Sequence, residues 1–192
     1  CVLLGAVCLV AGRGQAPSGA SAALQALYDR EWEWELAQDP IGATYLGDAR
    51  WDDRWPDLSL SAFADRQAHR EGVLREVAAI SRDQLPQAER TNYDVFRYQT
   101  EMAVEGYKYQ YYLARTNTYD GVQNAEQIID ALRFKTVKDY ENWLARLDAF
   151  PAYIDQNIAL MREGMKVNVL LPKVIMKRVR DERKGRSASP GD

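Results

Sequence analysis

The chain has 192 residues, enough for one domain with a real core or for a piece of a larger protein. A net charge of −3, with 46% hydrophobic and 28% charged residues, is ordinary for a globular protein and excludes a partner chosen by bulk charge, whether a polyanion or an acidic membrane. One histidine, His69, excludes a complete His-Glu-x-x-His zinc site, and two cysteines, Cys1 and Cys8, exclude a disulfide framework or thiolate metal site in the rest of the chain.

Residues 1–12 (CVLLGAVCLVAG) form an apolar run too short to cross a bilayer as a helix. With the small residues up to Ala16 it reads as a secretory signal peptide that lacks its start, spanning 1–16. Cys8 is the candidate acylated residue of a lipoprotein signal, although Val7 before it is bulkier than such a site usually takes. A buried N-terminal helix is the competing reading. The expectation is export, to the periplasm or as an outer-membrane lipoprotein, with membrane contact only through the signal or a lipid anchor. Residues 17–21 then form a flexible tether.

A first helix is expected over 22–38, with Leu24, Leu27/Tyr28, Trp32 and Leu36 inward and Asp39-Pro40 as its stop. Glu31 and Glu35 share a face, but the Glu-x-x-His pairing of a di-iron bundle is absent, since Arg66 stands three residues before His69; a solvated acidic face is expected. Residues 41–57 read as mostly loop. Their aspartates 48, 52, 53 and 57 lack calcium-loop spacing and are assigned to helix caps and pairs with Arg50 and Arg54. A second helix follows from Ser59 or Ser61 to Ile80, with Leu60, Phe63, Leu74 and Val77 inward. His69 lies on it with no partner motif. Pro86 opens a long helix reaching Ala114, with Tyr93, Phe96, Ala103 and Tyr107 inward, Tyr107 stacked on Tyr111 and Tyr109 on Tyr112.

The stretch from Tyr119 to Gly164 has the densest local signals. Asp120-Gly121 marks a turn; Asn124 with Gln127, and Thr136 with Asp139, have capping-box spacing. Val137, Tyr140, Trp143/Leu144, Leu147 and Phe150 fall on one helical face, expected to be buried. Pro151 starts a new helix whose inward face holds Ile154, Ile158 and Met161 and whose C-terminal cap is Gly164. Residues 165–171 read as extended, 173–179 as a last helix, and 180–192 as a disordered tail. That tail has neither a folded basic face nor aromatic platforms, so no nucleic-acid partner is expected. The whole is an all-α array of antiparallel helices, with its aromatic residues in helix interfaces. No phosphate loop, dinucleotide fingerprint or nucleophile elbow is present, and a Ser-His-Asp triad on His69 has nothing to support it.

Five stretches, LAQDPIGATYLGDARWDDRWPDLS, TNYDVFRYQTE, DGVQNAEQIID, FKTVKDYENWLARLDAFPAYIDQNIALMREGM and LPKVIMKRV, are similar in order and spacing to the bacterial "domain of unknown function 885" family, over residues 24–179. The resemblance implies the N-terminal part (22–179, incomplete) of a large, mostly helical, often exported or lipid-anchored protein resembling zinc metallopeptidases. It implies zinc for the full-length family and none in this chain, because the family's zinc motif lies beyond the point where the chain stops. The polar end after Val179 departs from the family's continuing helix, as a truncated reading frame would. The expected partners are the C-terminal catalytic part and a peptide-like substrate. Asn117, Tyr119, Asp120 and Gln123 are the substrate-cleft candidates, against a plainer role in capping and loop anchoring. The expected function is a non-catalytic helical part of an exported hydrolase-like protein; the alternative is a self-sufficient exported binding or adaptor module.

Overall fold

A computed structural model of the chain describes residues 19–115 and 121–187, with side chains as far as Asp181. The expected signal peptide, with Cys8, lies outside the described residues. The described chain is all helical, with no strand: α1 (Gly19–Gln38), α2 (Pro40–Tyr45), α3 (Leu60–Ala79), α4 (Gln87–Gly106), α5 (Val137–Asp148), α6 (Phe150–Lys166) and α7 (Lys173–Ser187), joined by short 3-10 turns. No described helix is long and apolar enough to cross a membrane.

α1, α3 and α4 surround the first core. Leu24 and Leu27 of α1 meet Val73 and Val77 of α3, Leu85 of the α3–α4 connection and Tyr93 of α4. Tyr28 and Phe96 close it edge to face at 4.9 Å. Tyr93 can be buried because its hydroxyl donates to the Val77 carbonyl at 3.1 Å, whereas the Tyr28 hydroxyl beside this core is buried without a partner among the described residues. α1 starts at Gly19, so residues 19–21 of the expected tether are helical, with Ala20 and Ser21 buried. Residues 41–57 are more ordered than a loop. Asp39 caps α2 by accepting from the Gly42 N–H at 3.0 Å, and Pro40 occupies the first turn, where a missing N–H costs nothing. The aspartates here act largely as expected. Asp48 accepts from the Arg50 N–H and pairs with its guanidinium at 2.6 Å, and Asp53 pairs with Arg54 at 2.7 Å. Asp52 differs, taking the Thr44 hydroxyl at 2.5 Å.

α3 opens where Ser59 accepts from the Ala62 N–H at 3.2 Å. The long tyrosine-rich helix does not form to Ala114. α4 ends at Gly106, a poor helix former, and Gln110 turns left-handed at φ 54°, breaking the chain into two 3-10 turns. The tyrosines are therefore re-paired: Tyr107 stacks on Tyr112 at 5.3 Å and Tyr109 on Tyr111 at 5.9 Å. Tyr112 also stacks on Phe63 at 4.5 Å and enters the second core, built from Leu58, Leu113, Tyr153 and Leu160. The expected box at Asn124 is absent, because residues 122–131 form a 3-10 segment opened by Gly121 at φ 143°. The Thr136–Asp139 box is complete: the Asp139 N–H donates to the Thr136 hydroxyl at 3.3 Å, and the Thr136 N–H donates back at 2.7 Å.

α5 and α6 are rotated from the expected orientation, although Phe150 does pack against the second core and Ile154 is half-buried. On α5 the apolar stripe faces out, with Val137 76% and Leu144 60% exposed, and Tyr140 and Leu147 exposed as well. Its opposite face turns inward through Arg146, which is 0% exposed. Arg146 donates to the carbonyls of Trp51 at 2.7 Å and Pro40 at 3.4 Å and to the Thr44 hydroxyl at 3.1 Å. Burial lowers its pKa, and the Asp52 carboxylate 3.9 Å away opposes that. The Arg146 carbonyl in turn accepts from the Trp55 indole at 2.7 Å. α6 buries Tyr153, Asn157, Leu160 and Gly164 rather than Ile158 and Met161, which are exposed. Gly164 is inside the helix, not a cap. A Cβ there would meet the Val169 carbonyl at 2.7 Å, so glycine permits a close approach of the returning chain. α7 runs on to Ser187, so the expected tail is helical over 180–187.

Candidate functional site

α1 and α3 bring together two residues that the sequence pattern kept apart. Glu31 lies one turn beyond Leu27 and two beyond Leu24, so the core-facing stripe of α1 carries it inward to 6% exposure, while Trp32 is displaced to the surface. A buried carboxylate is costly unless paired. Here it meets the His69 Nε2 at 2.6 Å and the Arg30 guanidinium at 3.1 Å. The imidazole lies flat on Trp34, ring centres 3.8 Å apart and planes within 11°. The expected solvated face at Glu31 and partnerless histidine are both corrected by this geometry. A carboxylate on one ring nitrogen fixes the imidazole's orientation and directs the chemistry of the other nitrogen. No hydroxyl or thiol among the described residues hydrogen-bonds to His69, so the pair orients an imidazole without activating a nucleophile.

Trp34 lines a cavity with Asp57, Asp65 and Arg66 and is shared by two adjoining others. One, of about 380 Å³, lies between α1, α3 and α4. The other, of about 580 Å³, is walled by α1, α2, the 56–58 segment and α3, and shares Trp32, Trp34, Glu35 and Arg70 with the first. Arg66, Arg70 and Arg115 all line the larger one. Arg66 sits over the Phe63 ring at 4.4 Å and donates one long hydrogen bond, 3.4 Å, to the Gln38 amide oxygen. Its pKa is lowered first by burial and then by the charges of Arg70 and Arg115, with Asp57 and Asp65 opposing.

A further cavity, of about 410 Å³, lies where the sequence placed the substrate-cleft loop. Asn117, Tyr119 and Asp120 lie outside the described residues; the flanking Arg115 and Gly121 both line this cavity. Gln123 does not. Its amide folds over Gly121, into the space a side chain there would need. The walls are aromatic (Tyr45, Trp55, Tyr111, Tyr112, Tyr153) with Asn124, Gln127 and Asn157 between them. Burial raises the phenol pKa values of Tyr112 and Tyr153, so both stay neutral at pH 7. Such a cavity suits flat or apolar groups and offers hydrogen bonds, and no Asp, Glu or His is among its described lining residues.

The described residues bring no zinc ligand set together. Among the described residues no group of three or more His, Cys, Asp or Glu side chains converges, and the Glu31–His69 pair has no third donor.

The family model described as "Bacterial protein of unknown function (DUF885)" matches residues 40–191. The chain belongs to the DUF885 family. No curated protein and no solved structure matches it. The DUF885 match takes in α2 through α7, hence both the Arg146 clamp and the aromatic cavity. It also continues beyond Val179, so the expected departure from the family at that point is withdrawn. α1, which supplies Glu31 and Trp34, precedes the matched residues.

Proposed function

We propose that this DUF885 chain is the non-catalytic helical part of a larger, mostly helical exported bacterial hydrolase that resembles the zinc metallopeptidases. Its zinc-bearing part is encoded outside these 192 residues, and its substrate is peptide-like. The single observation that carries this reading is the orientation of α5 and α6. Two strongly amphipathic helices turn apolar stripes (Val137, Tyr140, Leu144 and Leu147; Ile158, Met161 and Met165) to solvent. A patch of that kind on a soluble protein marks a surface that another surface covers. In this reading the covering surface is the catalytic part, and the aromatic cavity forms one wall of the substrate cleft.

A self-sufficient exported binding module is the second reading, favoured by cavities whose walls belong wholly to this chain. One experiment separates the two. The purified chain is mixed with a hydrophobic fluorescent dye and, separately, with casein and zinc. The scaffold reading expects dye binding that falls when Leu144 and Met161 are replaced by Glu, and no casein hydrolysis. A monomer that melts cooperatively and binds no dye supports the module instead. Zinc-dependent hydrolysis by this chain alone overturns the non-catalytic assignment.

A further inference from the structure

We propose that the cavity between α1, α2 and α3 is a binding site for a singly charged carboxylate carried on an apolar group, with Arg66, Arg70 and Arg115 as its anion-binding residues. This is independent of the scaffold reading, since it concerns one cavity enclosed by this chain alone.

Arg30, Arg50, Arg54, Arg82 and Arg97 each hold a carboxylate within 2.6–2.9 Å. No ion pair within 4 Å is formed by Arg66, Arg70 or Arg115 among the described residues. Among the described residues Arg75, Arg90, Arg133 and Arg162 also lack an ion pair within 4 Å, so it is burial that sets Arg66 apart from them. Arg66 is only 8% exposed, and its one protein acceptor is a neutral amide at 3.4 Å. A guanidinium has five N–H donors in a planar fork, and only one of those of Arg66 has a protein acceptor. The ring of Phe63 beneath it compensates part of the cost of burial, as a cation over an aromatic face does.

Arg70 and Arg115 come from different parts of the chain, yet both destabilise the Arg66 cation by like-charge repulsion. Three cations converging on one partly enclosed space gain from an anion between them, and a guanidinium binds a carboxylate in bidentate fashion. The rest of the lining selects the kind of anion. Trp32, Trp34 and Leu58 supply apolar wall, which suits a hydrocarbon or aromatic substituent. Glu35 and Asp39 line the same cavity, and their charges disfavour a phosphate dianion or a nucleic-acid backbone while tolerating one negative charge.

The test is titration calorimetry on the full chain with N-acetyl-leucine and N-acetyl-tryptophan, their neutral amides, and inorganic phosphate. The expected result is that at least one acid binds about tenfold or more tighter than its amide, as charge-assisted hydrogen bonds require. Arg70→Gln and Arg115→Gln should each weaken the acid by about tenfold and leave the amide unchanged, with the far-ultraviolet spectrum of the native chain retained. Added salt should weaken the acid selectively. Equal binding of acid and amide overturns the proposal. So do unaltered acid affinity in both variants, phosphate binding more tightly than either acid, or no binding of either acid at millimolar concentration.

Discussion

Leu144 and Arg146 sit on opposite faces of α5, and the structure makes opposite demands on them. A leucine in a core costs about 2–5 kcal/mol when cut to alanine, whereas a substitution at an exposed site usually stays within about 0.5 kcal/mol. Leu144 is mostly exposed, so Leu144→Ala should fall in the second class. Arg146→Ala should not. It removes the short donor to the Trp51 carbonyl, which is left with the Arg54 N–H at 3.4 Å, and it takes the cation from beside Asp52; a buried polar group left poorly paired costs about 1–3 kcal/mol, while the Thr44 hydroxyl keeps Asp52 and the Pro40 carbonyl. The space vacated by a fully buried side chain adds to this. A loss of about 3–5 kcal/mol is expected, on the scale of breaking a buried charged contact. That is a large share of the roughly 5–15 kcal/mol that holds a typical domain folded. The assay is urea unfolding followed by tryptophan fluorescence, reading the midpoint at constant slope. Trp55 donates to the Arg146 carbonyl and stacks on Tyr153 at 4.9 Å, so its emission reports on this clamp. If Leu144→Ala costs 2 kcal/mol or more and Arg146→Ala is tolerated, α5 is rotated by half a turn and the account of the clamp is wrong.

The capping box at the start of α5 predicts that Thr136→Ala lowers stability by about 1 kcal/mol, read from the same urea midpoint; no change would mean that the helix start is held by something else. The carboxyls of Asp48, Asp53, Asp94 and Asp139 are all held below the usual aspartate range, the first three by a guanidinium and Asp139 by backbone N–H groups. The folded state therefore binds fewer protons than the unfolded one. The stability these groups contribute is complete above the unfolded aspartate pKa and is lost as pH falls through the lower folded values, so the urea midpoint should be level above about pH 5 and decline below about pH 4. A midpoint that rose on acidification would contradict these pairs. Gly164→Ala should destabilise by about 1–2 kcal/mol net, because overpacking against the Val169 and Leu113 carbonyls outweighs the gain of about 1 kcal/mol in helix propensity. A variant more stable than the native chain would show that Val169 has room to withdraw.

Local signals carried the boundaries and periodicity carried the packing, with different success. Ser59, Pro86, Thr136 and Pro151 mark helix starts through chemistry within three residues, and α3, α4, α5 and α6 begin at or beside them. Tyr93 and Val77 follow the apolar pattern into the first core. The spacing of the tyrosine run reads as the end of the long helix, and nothing in that spacing announces the left-handed Gln110 that breaks it into 3-10 turns. Glu31–His69 was not legible, since 38 residues separate the partners and neither has a local motif. The one available hint was that Glu31 falls on the stripe of Leu24 and Leu27, but charge argued against burial. The three arginines around the cavity are equally nonlocal. Arg66 and Arg70 share a helix face, yet nothing near Arg115 in sequence announces that it joins them.

The reversal of α5 has a local cause. The chain from Pro40 to Trp55 turns through short helices and leaves carbonyl oxygens pointing at its neighbour, among them those of Pro40 and Trp51. An apolar helix face laid there would leave these acceptors only their local donors, the Thr44 hydroxyl on Pro40 at 2.9 Å and the Arg54 N–H on Trp51 at 3.4 Å. Arg146 reaches both carbonyls and the Thr44 hydroxyl through one nitrogen, Nη2, while its Nε and Nη1 are buried without a partner among the described residues. Trp55 then returns a hydrogen bond to the Arg146 backbone, so the two segments hold each other in both directions. With that polar seam inside, the stripe from Val137 to Leu147 has nowhere to go but out. A helix of this composition is therefore amphipathic toward two different neighbours. Its polar face is matched to the 40–55 segment of its own chain, and its apolar face is the one left exposed among the described residues.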